Sequence, residues 1–417
     1  MKRFLALTMG ALMAVSMCTS SFAAETEAAT ESNVEIPADF KAGFIFLHND
    51  QSTYDKNFID AAKKAAADLG MSEDQIVMKT NIPEGQECAD EAMDMADQGC
   101  GIVFADSFGH EDYMITAAQE YPDVQFCHAT GTKAHTEGLA NFHNAFASIY
   151  EGRYLAGVAA GMKLNEMIAN GEFKEDEAKI GYVGAYTYAE VVSGFTSFFL
   201  GARSQCPSAT MDVTFTNSWY DETAEKEAAN KLIEGGCKLI SQHADSMGAP
   251  TACEAAGVPD VSYNGSTKDA APNTYIISSK INWAPYFEYA IKAAVSGKEM
   301  GPDWTGTLAT GSVELAELNT DVAAKGTQEK IDEVTKQLED GSLHVFDTST
   351  FTVNGKALGE DTMADVDTDP DYAPDTAVVS DGYYHESEFR SAPYFGLFYQ
   401  DDGSAVPIDG INLLTAE

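Results

Sequence analysis

The chain has 417 residues, 66 acidic against 25 basic, for a formal net charge of −41. Such a surface repels phosphate backbones and anionic lipid headgroups, which argues against nucleic acid or a membrane surface as partner. Beyond the first residues, no segment reaches the roughly 20 uninterrupted apolar residues of a membrane helix.

At the N-terminus, Lys2 and Arg3 precede the apolar run 4–18, and Ser21-Phe22-Ala23 supplies small residues at a cleavage position, so residues 1–23 read as an export signal. Val15-Ser16-Met17-Cys18 also stands where a lipid-modified cysteine belongs. Cleavage after Ala23 and lipidation of Cys18 therefore both stay open, and either leaves the body facing outward. Residues 24–35 form a polar linker. The mature body, about 390 residues, is long enough for two domains with unstapled cores. Six further cysteines are widely spaced without a CxxC pair, which reads as buried free thiols and leaves one or two disulfides open.

The body alternates short β-branched or aromatic runs with Ala-rich helical stretches, the α/β pattern of parallel sheets covered by helices. Residues 42–48 (AGFIFLH) read as a buried strand, and Phe58, Ala61, Ala62, Ala65 and Leu69 place one apolar face on the helix after it. Strands are expected at 75–79, 101–105, 124–128 and 139–143. A helix at 149–162 carries Gly157-Val158-Ala159-Ala160-Gly161, a small-residue surface for tight packing. After a polar break near 169–177, a second series runs through 179–185, 211–216, 238–243 and 260–264, with Asp221 as a helix N-cap. Past Asp347 the sequence turns acidic, with a hairpin turn at Val353-Asn354-Gly355-Lys356. This extension, 347–417, either wraps a lobe or partly disorders.

Ligands of open parallel sheets gather at the carboxyl ends of the strands. There the sequence places His48-Asn49-Asp50-Gln51-Ser52-Thr53-Tyr54, Asp106-Ser107-Phe108, Tyr186-Thr187-Tyr188, Asn217-Ser218-Trp219-Tyr220-Asp221, His243-Ala244-Asp245 and Asn264-Gly265-Ser266. An aromatic beside a neutral or acidic hydrogen-bonding group suits a flat, polar-edged ligand such as a purine or nucleoside. Cations are nearly absent apart from Lys56 and Lys280, which disfavours nucleotides. Each candidate has a plainer role: Phe58 as the first core residue of its helix, Tyr188 and Tyr220 as sheet-edge caps, Asp221 as a cap. No GxSxG, HExxH, Walker or GxGxxG motif occurs, and the pairs at His110-Glu111-Asp112, His243-Ala244-Asp245 and His385-Glu386 read as polar contacts rather than metal ligands. No enzyme activity, metal or cofactor is expected.

Over residues 41–346 the chain resembles the basic membrane protein family of ABC importer substrate-binding proteins, which includes purine nucleoside receptors. The resemblance is carried by Asp106-Ser107-Phe108-Gly109-His110, by Tyr121-Pro122-Asp123-Val124-Gln125-Phe126-Cys127-His128, by Ile149-Tyr150-Glu151-Gly152-Arg153-Tyr154, by Asn217-Ser218-Trp219-Tyr220-Asp221 and by Gln242-His243-Ala244-Asp245-Ser246. It implies a type I periplasmic-binding-protein fold, two doubly wound lobes joined by three crossovers: 36–176 with 275–305, and 177–274 with 306–346. It also implies a monomer that passes a purine nucleoside or nucleobase, adenine included, to permease subunits. Tyr54, Asn57, Phe58, Ser107 and Phe108 would face the ligand from the first lobe. Tyr186, Trp219, His243, Asp245 and Asn264 would close from the second. Asn264 stands where nucleoside-binding members often carry Asp. A ligand-binding sensor and, further off, an extracytoplasmic nucleoside hydrolase are the alternative readings.

Overall fold

A computed structural model describes residues 34–366, 376–395, 398–399 and 405–414. The export signal, Cys18 and most of the expected linker lie outside the described residues. No helix among the described residues is long and apolar enough to cross a membrane.

Two sheets are built by the expected alternation. The first contains β1 (Lys41–Ile45), β2 (Ile76–Lys79), β3 (Cys100–Ala105), β4 (Gln125–Ala129) and β5 (Phe142–Ala147), all parallel. Helices α1 (Thr53–Asp68), α2 (Gln86–Asp97), α3 (Glu111–Glu120) and the short α4 (Ala134–Glu137) connect them. All of β5 is buried, the mark of a strand covered on both faces. The Ser52 hydroxyl caps α1 by accepting from the Asp55 N–H, supplying a partner for one of the helix's free donors.

The chain then crosses to the second lobe through α5 (Ile149–Ala169), which continues into β6 (Lys179–Gly184), α6 (Ala189–Gln205), β7 (Thr210–Phe215), α7 (Glu222–Glu234), β8 (Leu239–Gln242), α8 (Gly248–Ala256), β9 (Asp260–Tyr263) and β10 (Tyr275–Ile281). It returns through α9 (Ala284–Ser296) to β11 (Asp303–Gly306), which pairs with β5, and crosses again to β12 (Val313–Leu315) and α10 (Thr327–Glu339). The sheet orders are β11-β5-β4-β3-β1-β2 and β12-β10-β9-β8-β6-β7, the second extended by the strand Ile411–Leu413 beside β7. Only β12 runs antiparallel within these two sheets. Three crossovers join the lobes, as expected.

Two boundaries differ from the sequence reading. Residues 275–281 do not belong to the first lobe: β10 pairs with β9 and β12, and the return begins only at α9. The segment 149–176 likewise packs with the second lobe, because α5 lies on α6 within one apolar core that includes Leu155, Val158, Phe195 and Phe198. The small residues of α5 permit this. A Cβ on Gly157 would stand 2.0 Å from the Phe198 carbonyl oxygen, and one on Gly161 would stand 2.2 Å from that of Ala202. The obstacle is backbone, which cannot rotate away. Gly157→Ala is therefore expected to lower stability by about 1–3 kcal/mol, read as a lower urea midpoint; an unchanged midpoint would refute the close approach.

Cys88, Cys100, Cys127, Cys206, Cys237 and Cys253 are all free and buried, so the option of disulfides does not arise among them. Asp221 does cap α7, accepting from Ala224 N at 2.9 Å. The Val353-to-Lys356 hairpin forms, with Asn354 and Gly355 at φ of 51° and 74°.

Candidate functional site

The carboxyl ends of the two sheets face each other across a cleft lined by residues of both lobes. On the first-lobe side, the loop after β1 is fixed by its own polar groups. His48 N donates to Asp55 Oδ1 at 2.6 Å, Ser52 Oγ donates to Asp55 Oδ2 at 2.6 Å, and Leu47 N donates to Asp106 Oδ1 at 3.1 Å. Tyr54 then reaches the cleft with its hydroxyl donating to the Asp106 carbonyl at 2.8 Å. After β3, Glu84 takes hydrogen bonds from Ser107 Oγ and Gly109 N at 2.6 and 2.8 Å, and this pins the turn that presents Phe108.

From the second lobe come an aromatic row and a polar floor. Tyr188 stacks on Tyr186 at 5.1 Å, and Trp219 stands edge-on to Tyr186 at 5.0 Å. Phe108 of the first lobe stacks on Tyr188 of the second at 4.9 Å with planes 27° apart, so rings meet across the opening. Thr53 N donates to the Asp245 carbonyl at 3.0 Å, a second contact between lobes. The conformation is a closed one.

The floor is acidic. His243 Nε2 lies 2.8 Å from Glu190, whose Oε1 also accepts from the Tyr263 hydroxyl at 3.2 Å. Beneath them Arg153 Nη2 donates to the Tyr182 hydroxyl, leaving that O–H to donate to His243 Nδ1 at 3.2 Å. This order puts the Nε2 proton toward Glu190. A Cβ on Gly194 would meet His243 Nδ1 at 2.7 Å, so glycine makes room for the ring.

Burial drives the Asp245 carboxyl well above its usual range, reinforced by repulsion from Asp55, Glu225 and Glu190. Its carboxyl accepts from Asn264 Nδ2 at 3.4 Å, and Asn264 Oδ1 is itself buried without a partner among the described residues. Burial and the neighbouring Asp55 raise Asp106 likewise. For Asp55, burial also pushes upward, but hydrogen bonds from His48 and Ser52 outweigh it and hold this carboxyl low. The cleft thus offers an amide oxygen in want of a donor beside a carboxyl that burial keeps protonated.

Seven of the ten residues nominated from sequence line this cleft: Tyr54, Ser107, Phe108, Trp219, His243, Asp245 and Asn264. Phe58 is instead 3% exposed and stacks on Trp283 at 4.3 Å within the first-lobe core. Asn57 donates to the Ile281 carbonyl at a crossover, and Tyr186 stands behind Tyr188 and Trp219 rather than on the lining. Sequence reading passed over Glu190, Tyr263 and three residues of the acidic extension, Arg390, Ala392 and Pro393, which also line the cleft. Of the His-carboxylate pairs, His385 lies 2.7 Å from Glu388 and Glu386 accepts from Ser193, while no cluster suited to a metal occurs among the described residues.

The family model described as ABC transporter substrate-binding protein PnrA-like matches residues 45–343. A purine-binding protein of Brucella abortus is 29% identical over 310 residues, 73% of this chain and 83% of that one. A Haloferax volcanii protein, described as a candidate ABC transporter glucose-binding protein, is 32% identical over 250 residues. That match covers 60% of each chain, so less than two thirds of the relative's length is spanned. Among solved structures, an ABC transporter solute-binding protein of Aeropyrum pernix K1 has a TM-score of 0.62 at 17% identity, over 74% of this chain and 93% of that one. That likeness is one of fold, the type I arrangement.

Proposed function

The chain belongs to the Bmp family of PnrA-like ABC transporter substrate-binding proteins, and on that premise we propose that its cleft captures a purine nucleobase or nucleoside outside the cytoplasm for delivery to permease subunits. One observation carries the choice of ligand: stacked rings surround buried polar groups that are short of hydrogen-bond partners among the described residues. Phe108, Tyr188 and Trp219 offer π-faces, while Asn264 Oδ1, unpartnered among the described residues, seeks an N–H or O–H donor and the Asp245 carboxyl beside it can hydrogen-bond a ring edge or hydroxyl. The cationic Arg390 directs Nε, Nη1 and Nη2 at the carbonyls of Ala392, Val366 and Pro393. A phosphorylated ligand would set its charge against Asp55 and Glu190 with little compensation. The purine-binding Brucella relative supports the same reading.

Titration calorimetry of the chain from residue 34 onward against adenine, hypoxanthine, adenosine, guanosine and glucose tests this. Binding of a purine supports the proposal; glucose binding with no purine bound overturns it. Trp219→Ala should weaken purine binding by about 1–3 kcal/mol, the loss of one stacking surface. Asp245→Ala should weaken it by about 2 kcal/mol through the loss of an acceptor. Purine affinity unchanged in both variants would place the ligand elsewhere.

A further inference from the structure

The extension after residue 346 lies outside the family match, yet it enters the site. Its anchor is on the second lobe. Phe395 stacks on Phe346 at 4.5 Å and meets Tyr384 at 4.8 Å, all within the apolar core of that lobe. Glu386 accepts from Ser193 of α6, close by. From this anchor the chain reaches the other lobe: Ser391 N and Oγ both donate to Asp303 Oδ1 of β11, at 2.9 and 2.6 Å. Between these points the Ser387 hydroxyl stands 3.5 Å from that of Ser148, at the first crossover. Arg390, Ala392 and Pro393 of the same loop form part of the cleft lining.

We propose that residues 386–393 are a third wall of the ligand cleft and a tether between the lobes, so that ligand leaves only after the Ser391–Asp303 contact opens. The proposal rests on the reading of this cleft as the ligand site. Lobes joined by crossovers open by hinging, and a loop held in one lobe and bonded to the other resists that motion. The tether favours the closed state before ligand arrives and thereby lengthens residence. Asp303 suits the part. Burial pushes its carboxyl up, but hydrogen bonds from His135 and Ser391 outweigh this and keep it low, so the acceptor carries charge and holds both donors firmly.

The test uses the chain from residue 34 onward, which leaves out Cys18, with cysteines introduced at Lys63 of α1 and Lys231 of α7, both exposed, for spin labelling; the six native thiols that remain are buried. Asp303→Ala and Ser391→Ala should each shift the label-to-label distance of ligand-free protein toward longer values. They should also raise the dissociation rate of a bound purine by roughly tenfold. Distances and rates that match the parent in both tether variants overturn the proposal. If no purine binds the parent chain, the ligand reading fails while the distance measurement still decides the tether. If Asp303→Ala does not fold, Ser391→Ala alone decides it, since that variant deletes only one hydroxyl.

Discussion

Acidification from about pH 7.5 to about pH 5.5 is expected to raise the melting temperature of the ligand-free protein by several degrees, the reverse of ordinary acid denaturation. Burial pushes the carboxyls of Glu151, Glu225, Asp260 and Glu386 up to about 7, and those of Asp106 and Asp245 well above their usual range. In the unfolded chain the same groups titrate near 4. Between those limits the folded state binds more protons than the unfolded one, so stability falls as pH rises, by about 1.4 kcal/mol per pH unit for each group. Histidines act the other way. Burial lowers His110 and His128 to about 4 and also lowers His143, so acid below about pH 6.5 charges them only in the unfolded chain. Six carboxyls against three imidazoles leave acid ahead, and partial discharge of a chain at −41 adds in the same direction. Below about pH 4 the trend reverses, because Asp55 and Asp303 are held low and their stabilisation is lost there. Calorimetric scans across this range check the sign, and Glu386→Gln should flatten the slope. A melting temperature that falls steadily from neutral pH downward would disprove the account.

Arg153→Ala is expected to cost about 3–5 kcal/mol of stability. The side chain is fully buried and is not paired with a carboxylate within ion-pair distance among the described residues. Its charge is met by the Tyr182 hydroxyl, by the carbonyls of Gly194, Ser262 and Gln242, and by the rings of Tyr182, Phe198 and Tyr263 at 5.4, 5.4 and 4.8 Å. Truncation would leave a cavity and several buried acceptors without donors. Arg153→Met fills most of the volume but supplies no donor, so it should recover only part of the loss. Chemical denaturation of both variants gives the comparison; equal stability of Met and parent would remove the polar role. Because Arg153 also orders Tyr182 and His243 beneath Glu190, both variants should weaken ligand binding beyond any unfolding.

Much of this fold was legible because buried parallel strands and Ala-faced helices follow short periods that residues such as Phe44, Ala62 and Ala65 display directly. Lobe assignment was less so. The run 275–281 reads as a strand in either sheet, and only its pairing with β9 and β12 decides. In the site, Trp219, Asp245 and Asn264 were visible as polar and aromatic residues at strand ends. Phe58 shares that chemistry, but its place on the apolar stripe of α1 turned it onto Trp283, where burial of a whole ring outweighs exposure to a cleft. Glu190 lies in the first turn of α6, where an acidic residue also suits the helix dipole, so its chemistry alone does not mark it out. Arg390 was hidden more deeply, in an acidic tail with no periodicity to tie it to sites hundreds of residues earlier.

The strand Ile411–Leu413 lies beside Met211–Val213, a partner two hundred residues upstream. Until those last residues arrive, the outer edge of β7 presents bare N–H and C=O groups, a template for the wrong chain. The first sheet waits too, since β11 reaches β5 only after β6 to β10 of the second lobe have been made. Neither half can finish alone, which makes for slow maturation governed by distant closures rather than local ones. A chain that stays loose for so long depends longest on whatever keeps that bare edge covered.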